Sequence, residues 1–288
     1  MPDSSEVKQN VRQFYDEIGW QVEGDGYYQN ARYEDLRPVA HEYIHRCHLR
    51  VGRHIRPSGH MLLDAGSGPV QYAEYLTYSK NYTYRVCADI SIVALQEART
   101  RLGEKGLYVV ADVAHLPFKS ETFDGVVSLH TLHHLPPEDH KPAYDELYRV
   151  LTPGSSAAIV NGWTDSPLMR AAGWMMSLME SVQGLAARLR GRKAPAKKAA
   201  AAAKPTGTYI HKFDPAWLEK TLGGRMDYDV RVWRSVNVRF LRAMIHPWLG
   251  GKYWLRLLYW LEERFPRFFG EKGQYPLIIL RRGSNDSQ

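Results

Sequence analysis

Cysteine is scarce: Cys47 and Cys87 are the only two in 288 residues, far apart and without metal-type spacing. That excludes a disulfide framework and a cysteine-based zinc site, and it fits a reducing compartment. Long apolar runs are also lacking. The least charged stretch, 171–187, contains Glu180, Gln183 and several small residues, short of the roughly 20 apolar residues a spanning helix needs. The first twenty residues mix acids, amides and bases with no apolar core of a secretory signal, so a cytoplasmic location is expected. No internal repeat is present. At about 150 residues per domain, the length allows one embellished domain or two small ones, and excludes a small stapled scaffold.

Charge is lopsided in one place only. Lys and Arg number 38 against 31 Asp and Glu, a net +7. Arg188, Arg190, Arg192, Lys193, Lys197, Lys198 and Lys204 supply that whole excess, and no acid lies among them. The run 188–207 is low in complexity and poor in large apolar groups, so it cannot bury enough to order itself. It reads as a basic linker or loop, either solvated or touching an anionic surface, and the remaining chain is electrically balanced.

Between Met61 and Trp163 short apolar runs alternate with longer amphipathic ones, the pattern of strands and helices stacked on a parallel sheet. Strands are expected at 61–65, 84–89, 107–111, 123–129 and 156–161. Helices are expected at 92–102, with Ser91 as N-cap and Gly103 at the end, and at 138–151. Residues 5–56 read as two helical pieces, split at the Gly24–Gly26 region. Beyond the core come a helical stretch at 167–187, a helix at 215–222, a strand at 227–236, an aromatic-rich helical segment at 240–269 and a last strand at 275–281.

The chemistry concentrates at the strand ends. Strand one runs into Asp64-Ala65-Gly66-Ser67-Gly68-Pro69, where two glycines permit a sharp turn and close ligand approach and a helix N-terminus follows. Position 71, where the dinucleotide fingerprint has its third glycine, is Gln71. Asp89 ends strand two, about 20 residues on, where an acid can accept from ribose hydroxyls. Asp112 ends strand three, with Leu116-Pro117-Phe118 as apolar cover. Strand four leads into His130-Thr131-Leu132-His133-His134.

These motifs, LLDAGSGP, ADIS, ADVAHLPF and FDGVVSLHTLHHLP followed by LTPGSSAAIV, closely resemble the class I S-adenosylmethionine-dependent methyltransferases, in the branch that modifies small molecules. The resemblance covers 61–161. It implies an α/β, Rossmann-like, seven-stranded mostly parallel sheet whose last strand is antiparallel. The core would comprise 57–166, 206–238 and 274–282, with an N-terminal helical cap at 1–56, a lid helix at 167–187 and a helical insertion at 240–270. It further implies S-adenosylmethionine as cofactor. Asp64, Gly66, Ser67 and Gly68 would hold the methionine part, Asp89 and Ile90 the ribose, and Asp112 and Val113 the adenine. Leu129 and His130 would lie beneath the cofactor, with Tyr15 and Trp20 closing over it.

Methyl transfer needs positioning and exclusion of water. An oxygen acceptor also profits from a base, and His130, His133 and His211 are the candidates because imidazole titrates near neutrality. Asp64 could instead bond only the loop amides, and His133 and His134 could simply pack and cap. His41, His45 and His48 share a helix face, read as a partly solvated face rather than a metal site. Cys87 reads as a small core residue.

Nucleobase N-methylation in this superfamily uses an Asn/Asp-Pro-Pro-aromatic turn after strand four, where this chain has Leu129-His130-Thr131-Leu132. Cytosine C5 chemistry needs a cysteine nucleophile there. No specific nucleic acid is therefore expected. The acceptor reading is a small molecule, bulky and apolar or lipid-linked, walled by Trp174, Met175, Met176 and Met179 and by Trp248, Tyr253, Trp254, Tyr259, Trp260, Phe265, Phe268 and Phe269. Those residues could equally form the core of a helical subdomain. The alternatives are a protein or RNA methyltransferase docking through 188–204, and a cofactor-binding scaffold without turnover. A nicotinamide oxidoreductase is opposed by Gln71.

Overall fold

The computed structural model describes residues 3–21, 28–29, 34–189 and 208–284. The Gly24–Gly26 turn and nearly all of the basic run lie outside these residues. Seven strands form one sheet: β1 Gly59–Ala65, β2 Tyr82–Asp89, β3 Gly106–Val110, β4 Gly125–Leu129, β5 Ser156–Val160, β6 Asp227–Arg234 and β7 Tyr275–Arg281. Their order is β3-β2-β1-β4-β5-β7-β6. The first five run parallel, while β7 inserts antiparallel between β5 and β6. The expected Rossmann-like α/β architecture, with its antiparallel last strand, is therefore present.

Apolar residues come consecutively on the central strands because both faces are covered. Leu62, Val127, Ala158 and Ile279 enter one core. Leu63, Val126, Ile159 and Ile278 enter the other. Helices α2 Pro38–Arg50 and α4 Ile92–Leu102 pack on the first face, and α5 Pro137–Arg149 on the second. Ser91 caps α4 through the Ala94 amide (3.1 Å). Both cysteines are wholly buried and reduced, Cys87 within β2 as expected.

N-terminal to the sheet, α1 Ser4–Phe14 continues into a wider turn over Tyr15–Gly19. A short α3 Ala73–Thr77 follows the glycine turn. The segment expected as one helix at 167–187 is two, α6 Pro167–Ala171 and α7 Gly173–Leu189. After α8 Pro215–Leu222, the aromatic segment is three, α9 Val238–Met244, α10 Gly251–Arg264 and α11 Pro266–Lys272. Breaks fall at Gly250, which adopts a left-handed conformation (φ +67°), and at Pro266.

Most aromatic side chains of α7, α10 and the turn Pro247–Leu249 before α10 do not line the cavity at the strand ends and are not in the core. Trp174 is 68 % exposed, Trp248 74 % and Tyr253 73 %, with Leu178, Val182, Leu185, Trp254 and Trp260 also exposed. Met176, Leu255 and Tyr259 are the buried members.

Candidate active site

The carboxyl ends of β1 to β5 converge with the end of β6 and the start of β7 on a cavity of about 280 Å³. Its floor is the turn after β1. Gly66 (φ +74°) and Gly68 (φ +52°) hold left-handed conformations costly for a side chain. A Cβ at Gly66 would strike Thr131, and one at Gly68 would come within 2.9 Å of the Trp20 ring. Only glycine lets these elements close together here.

Asp89 ends β2 with both oxygens engaged, one accepting from the Gly68 amide (2.8 Å), the other from that of Ser91 (2.9 Å). Its carboxylate faces the cavity rather than bulk water. That burial pushes its pKa up to about 6, against the lowering effect of the two amides. Ile90, Val113 and Leu129 line the same space, with Ser67 in the turn. Asp112 accepts from the Ala114 amide (2.9 Å) and from Lys8 (2.5 Å). Burial disfavours its charge, but Lys8 and the amide outweigh this and hold it below the usual range. Lys8 also reaches Asp139 (2.6 Å) and so clips α1 to α5.

Asp64 contradicts only the loop-amide alternative. Its carboxylate pairs inside the protein with Arg85 of β2, whose Nε lies at 3.1 Å, and not with the loop amides. Arg85 also donates to the Tyr75 carbonyl (2.5 Å), tying β1, β2 and α3 together. Asp64 still borders the cavity.

Tyr15 and Trp20 stack over the turn, ring centroids 5.0 Å apart. The Tyr15 hydroxyl lies 2.8 Å from His134 Nε2, and His134 Nδ1 lies 2.8 Å from the Tyr209 carbonyl. A carbonyl can only accept, so Nδ1 carries the proton. Burial pushes the His134 pKa down to about 4. The ring is thus neutral, and Nε2 accepts from the tyrosine.

His130 and His133 both face the cavity. His130 has a left-handed backbone (φ +57°) held by its amide on the Val160 carbonyl (2.8 Å), a strained conformation of the kind that gathers at functional sites. Its ring meets Trp233 edge-on at 4.8 Å. Burial first, then Arg234, push its pKa down to about 3. Burial likewise drives His133 well below the usual range. The sequence expectation of imidazoles titrating near neutrality is therefore corrected: both are neutral and weakly basic.

His211 is not in the cavity. Residues 208–213 form neither helix nor strand. Thr208, Ile210 and Lys212 face inward, while His211 packs on His140 (5.6 Å) and Phe213 (4.9 Å). The helix-face histidines also separate. His41 and His45 stack together, whereas His48 is buried against Glu34 (3.2 Å) and Trp233. Among the described residues, no group of three or more His, Cys, Asp or Glu is placed to hold a metal.

Of the described residues of 167–187 and 240–270, none lines the cavity, so the lid and aromatic-wall expectations are corrected. Residues missed from sequence form that wall: Glu34, Tyr72, Gly162, Lys212, Arg234 and Tyr275. Arg234 follows Val232 and Trp233 at the carboxyl end of β6, but Asp227, Asp229 and Arg231 on the same strand hide it as a signal.

S-adenosylmethionine fits this site. Trp20 Nε1, Gln71 Oε1, Tyr72 Oη and His133 Nδ1 lie buried around the cavity without hydrogen-bond partners. Such unspent capacity is costly beside an apolar ligand, but suits amino, carboxylate and ribose groups. Gly66 and Gly68 leave the turn open to a ligand, and Asp89 and Asp112 border the same cavity.

Comparison with known proteins agrees. The family profile described as "Methyltransferase domain" matches residues 63–159, from β1 through β5. Methyltransferase GfsG of Streptomyces halstedii is 32% identical over 109 residues, 36% of this chain and 38% of that protein. The tRNA (carboxymethyluridine(34)-5-O)-methyltransferase of Arabidopsis thaliana is 31% identical over 140 residues, 42% and 33% respectively. The matches thus span less than two fifths of these relatives' lengths. In three dimensions, phosphoethanolamine N-methyltransferase 1 of Haemonchus contortus superposes with a TM-score of 0.55 at 9% identity, covering 100% of this chain and 51% of that one; at that identity the likeness is one of fold. With the glycine turn, Asp89 and Asp112 at successive strand ends inside it, the matched span 63–159 is a methyltransferase domain of the class I S-adenosylmethionine-dependent superfamily.

Proposed function

We propose that this chain transfers a methyl group from S-adenosylmethionine to an oxygen of a small-molecule acceptor. One observation carries the reading: a single cavity joins the cofactor residues Gly66, Gly68, Asp89 and Asp112 to a polar wall of His130, Lys212, Arg234 and Tyr275. The printed name of the Arabidopsis relative also specifies methylation at oxygen, there of a modified uridine. The cofactor, when bound, supplies an electrophilic methyl on sulfur. The protein's share is positional. Tyr15 and Trp20 cover the glycine turn, the Lys8 clip closes α1 over Asp112, and the walls exclude water from the reacting centre. His130 accepts a hydrogen bond from an acceptor hydroxyl and orients it. Its low basicity restricts proton removal to acidic hydroxyls.

The test is incubation with labelled S-adenosylmethionine and cell extract, then identification of the labelled compound. Label on an extractable metabolite, lost with Asp89→Ala, supports the reading. Label confined to RNA or protein would instead favour docking through 188–204, and removing 190–205 should then abolish transfer. No label in any fraction, with cofactor binding intact, would favour a binding scaffold.

The exposed face of α7 and α10 supports a peripheral membrane contact as a second element of the proposal. Trp174, Leu178, Val182 and Leu185 recur at helical spacing, and α10 sets Trp254 and Trp260 beside Lys252, Arg256 and Arg264. Exposed tryptophans flanked by cations suit the headgroup boundary of a bilayer. No described helix is long and apolar enough to cross a membrane.

A further inference from the structure

Charges around the cavity are matched with two exceptions, Asp89, which is held by backbone amides alone, and Lys212. Asp64 has Arg85, Asp112 and Asp139 share Lys8, and Glu34 lies between His48 and Arg234, each at 3.2 Å. Glu74 is a further carboxylate beside His48 (3.6 Å). Lys212 faces the cavity and has no hydrogen-bond or ion-pair partner among the described residues.

The position of Lys212 is enforced by its surroundings. The amide of His211 donates to the His133 carbonyl (2.7 Å), and the Lys212 carbonyl accepts from the Thr164 hydroxyl (2.7 Å), so the backbone is pinned on both sides. Its stem lies over Gly162, where an added Cβ would stand 3.1 Å from Nζ. Nearby, Arg234 Nε is buried without a partner, and Arg234 and Lys212 both act on His130 as positive charges. A half-buried, unpaired ammonium is costly unless something compensates it. The second cavity makes the contrast: Arg53, Arg56, Arg281 and Arg282 border it, yet each already has a carboxylate.

We infer that the acceptor is an organic acid, its anionic group seated on Lys212 Nζ within the field of Arg234. The inference rests on the methyl-transfer reading above and narrows its substrate class. An anionic acceptor also reduces the need for a base, which neutral His130 and His133 supply poorly.

The test measures binding of matched acid and amide pairs to protein saturated with S-adenosylhomocysteine: benzoate and benzamide, 4-hydroxybenzoate and its amide, octanoate and octanamide, with inorganic phosphate as a further arm. In at least one pair the acid should bind tenfold or more tightly than the amide. Lys212→Met should erase that preference and Lys212→Arg should restore most of it. S-adenosylhomocysteine affinity of Lys212→Met should stay within twofold of the parent, which also shows that the variant folds. The inference is overturned if no pair prefers the acid, if Lys212→Met keeps the preference, or if that variant loses cofactor affinity, since the lysine would then serve the cofactor carboxylate. It is also overturned if phosphate alone binds, because the site would then select a phosphate ester. Failure of the parent protein to bind S-adenosylhomocysteine at all would sink the methyl-transfer reading itself.

Discussion

Tyr15 donates its phenolic hydrogen to Nε2 of His134 at 2.8 Å, joining the N-terminal cap to the segment after β4 across the mouth of the cofactor site. Tyr15→Phe keeps the stack on Trp20 but removes this bond. A single hydrogen bond contributes about 0.5–1.5 kcal/mol, so S-adenosylhomocysteine affinity should drop roughly 2- to 12-fold by calorimetry. Unchanged affinity would show that the cap does not contribute through this bond.

Cofactor binding should depend on the ionisation of Asp89. With its pKa pushed up to about 6 by burial, the carboxylate is charged above that pH and protonated below it. Affinity should therefore weaken as pH falls through 6. In Asp89→Asn this inflection should vanish, leaving affinity lower by about 1.5–3 kcal/mol, the usual worth of a hydrogen bond to a charged group. A variant that retains the inflection would assign it to another group.

Arg85→Met should be destabilising beyond its size. It leaves Asp64 buried without its partner, and breaking one side of a buried pair costs about 3–5 kcal/mol. Denaturant unfolding should show the loss. The double variant Arg85→Met, Asp64→Asn should recover part of it.

Stability should peak near pH 6.5. Burial holds His54, His134 and His140 at about 4 and His130 at about 3, and drives His133 well down. As pH falls below 6.5 the unfolded chain takes up protons these sites refuse, so the folded state loses ground. His48 behaves oppositely. Burial disfavours its charge, but Glu34 and Glu74 outweigh this and raise it to about 9. Its contribution is full below 6.5 and disappears as pH rises through 9. Below pH 6 Asp89, raised to about 6, works against the five histidines, yet five groups against one still predict a steeper decline on the acid side. Equal slopes in Tm on the two sides would contradict this.

Trp174→Glu and Trp254→Glu should leave folding and cofactor binding intact, since both side chains are exposed and neither lines the cavity. Co-sedimentation with anionic vesicles should fall for both if the α7 and α10 face meets a bilayer. Undiminished sedimentation would remove the membrane element of the proposal.

Much of the proposed cofactor half was legible because it is local. Gly66, Gly68, Asp89 and Asp112 sit at the ends of strands whose apolar runs mark them, and the sheet brings all strand ends to one edge. The proposed acceptor half is not local. Glu34, Tyr72, Lys212 and Arg234 come from four separate segments, and only the packed fold unites them. His211 illustrates the difficulty, since in a segment without helix or strand one position decides whether a side chain meets the cavity, and Lys212 takes the inward place. The aromatic stretch misled for a related reason: helical spacing shows that residues share a face, not whether that face meets protein.

Cys47 and Cys87 are both wholly enclosed, and burial pushes both thiols up to about 12. Neither presents a thiolate to reagents near neutral pH. The native chain is thus already a silent background for site-directed labelling. A single cysteine introduced at an exposed site such as Leu178 or Trp254 would be the one accessible thiol, and a fluorophore there could follow vesicle contact without any prior removal of native residues.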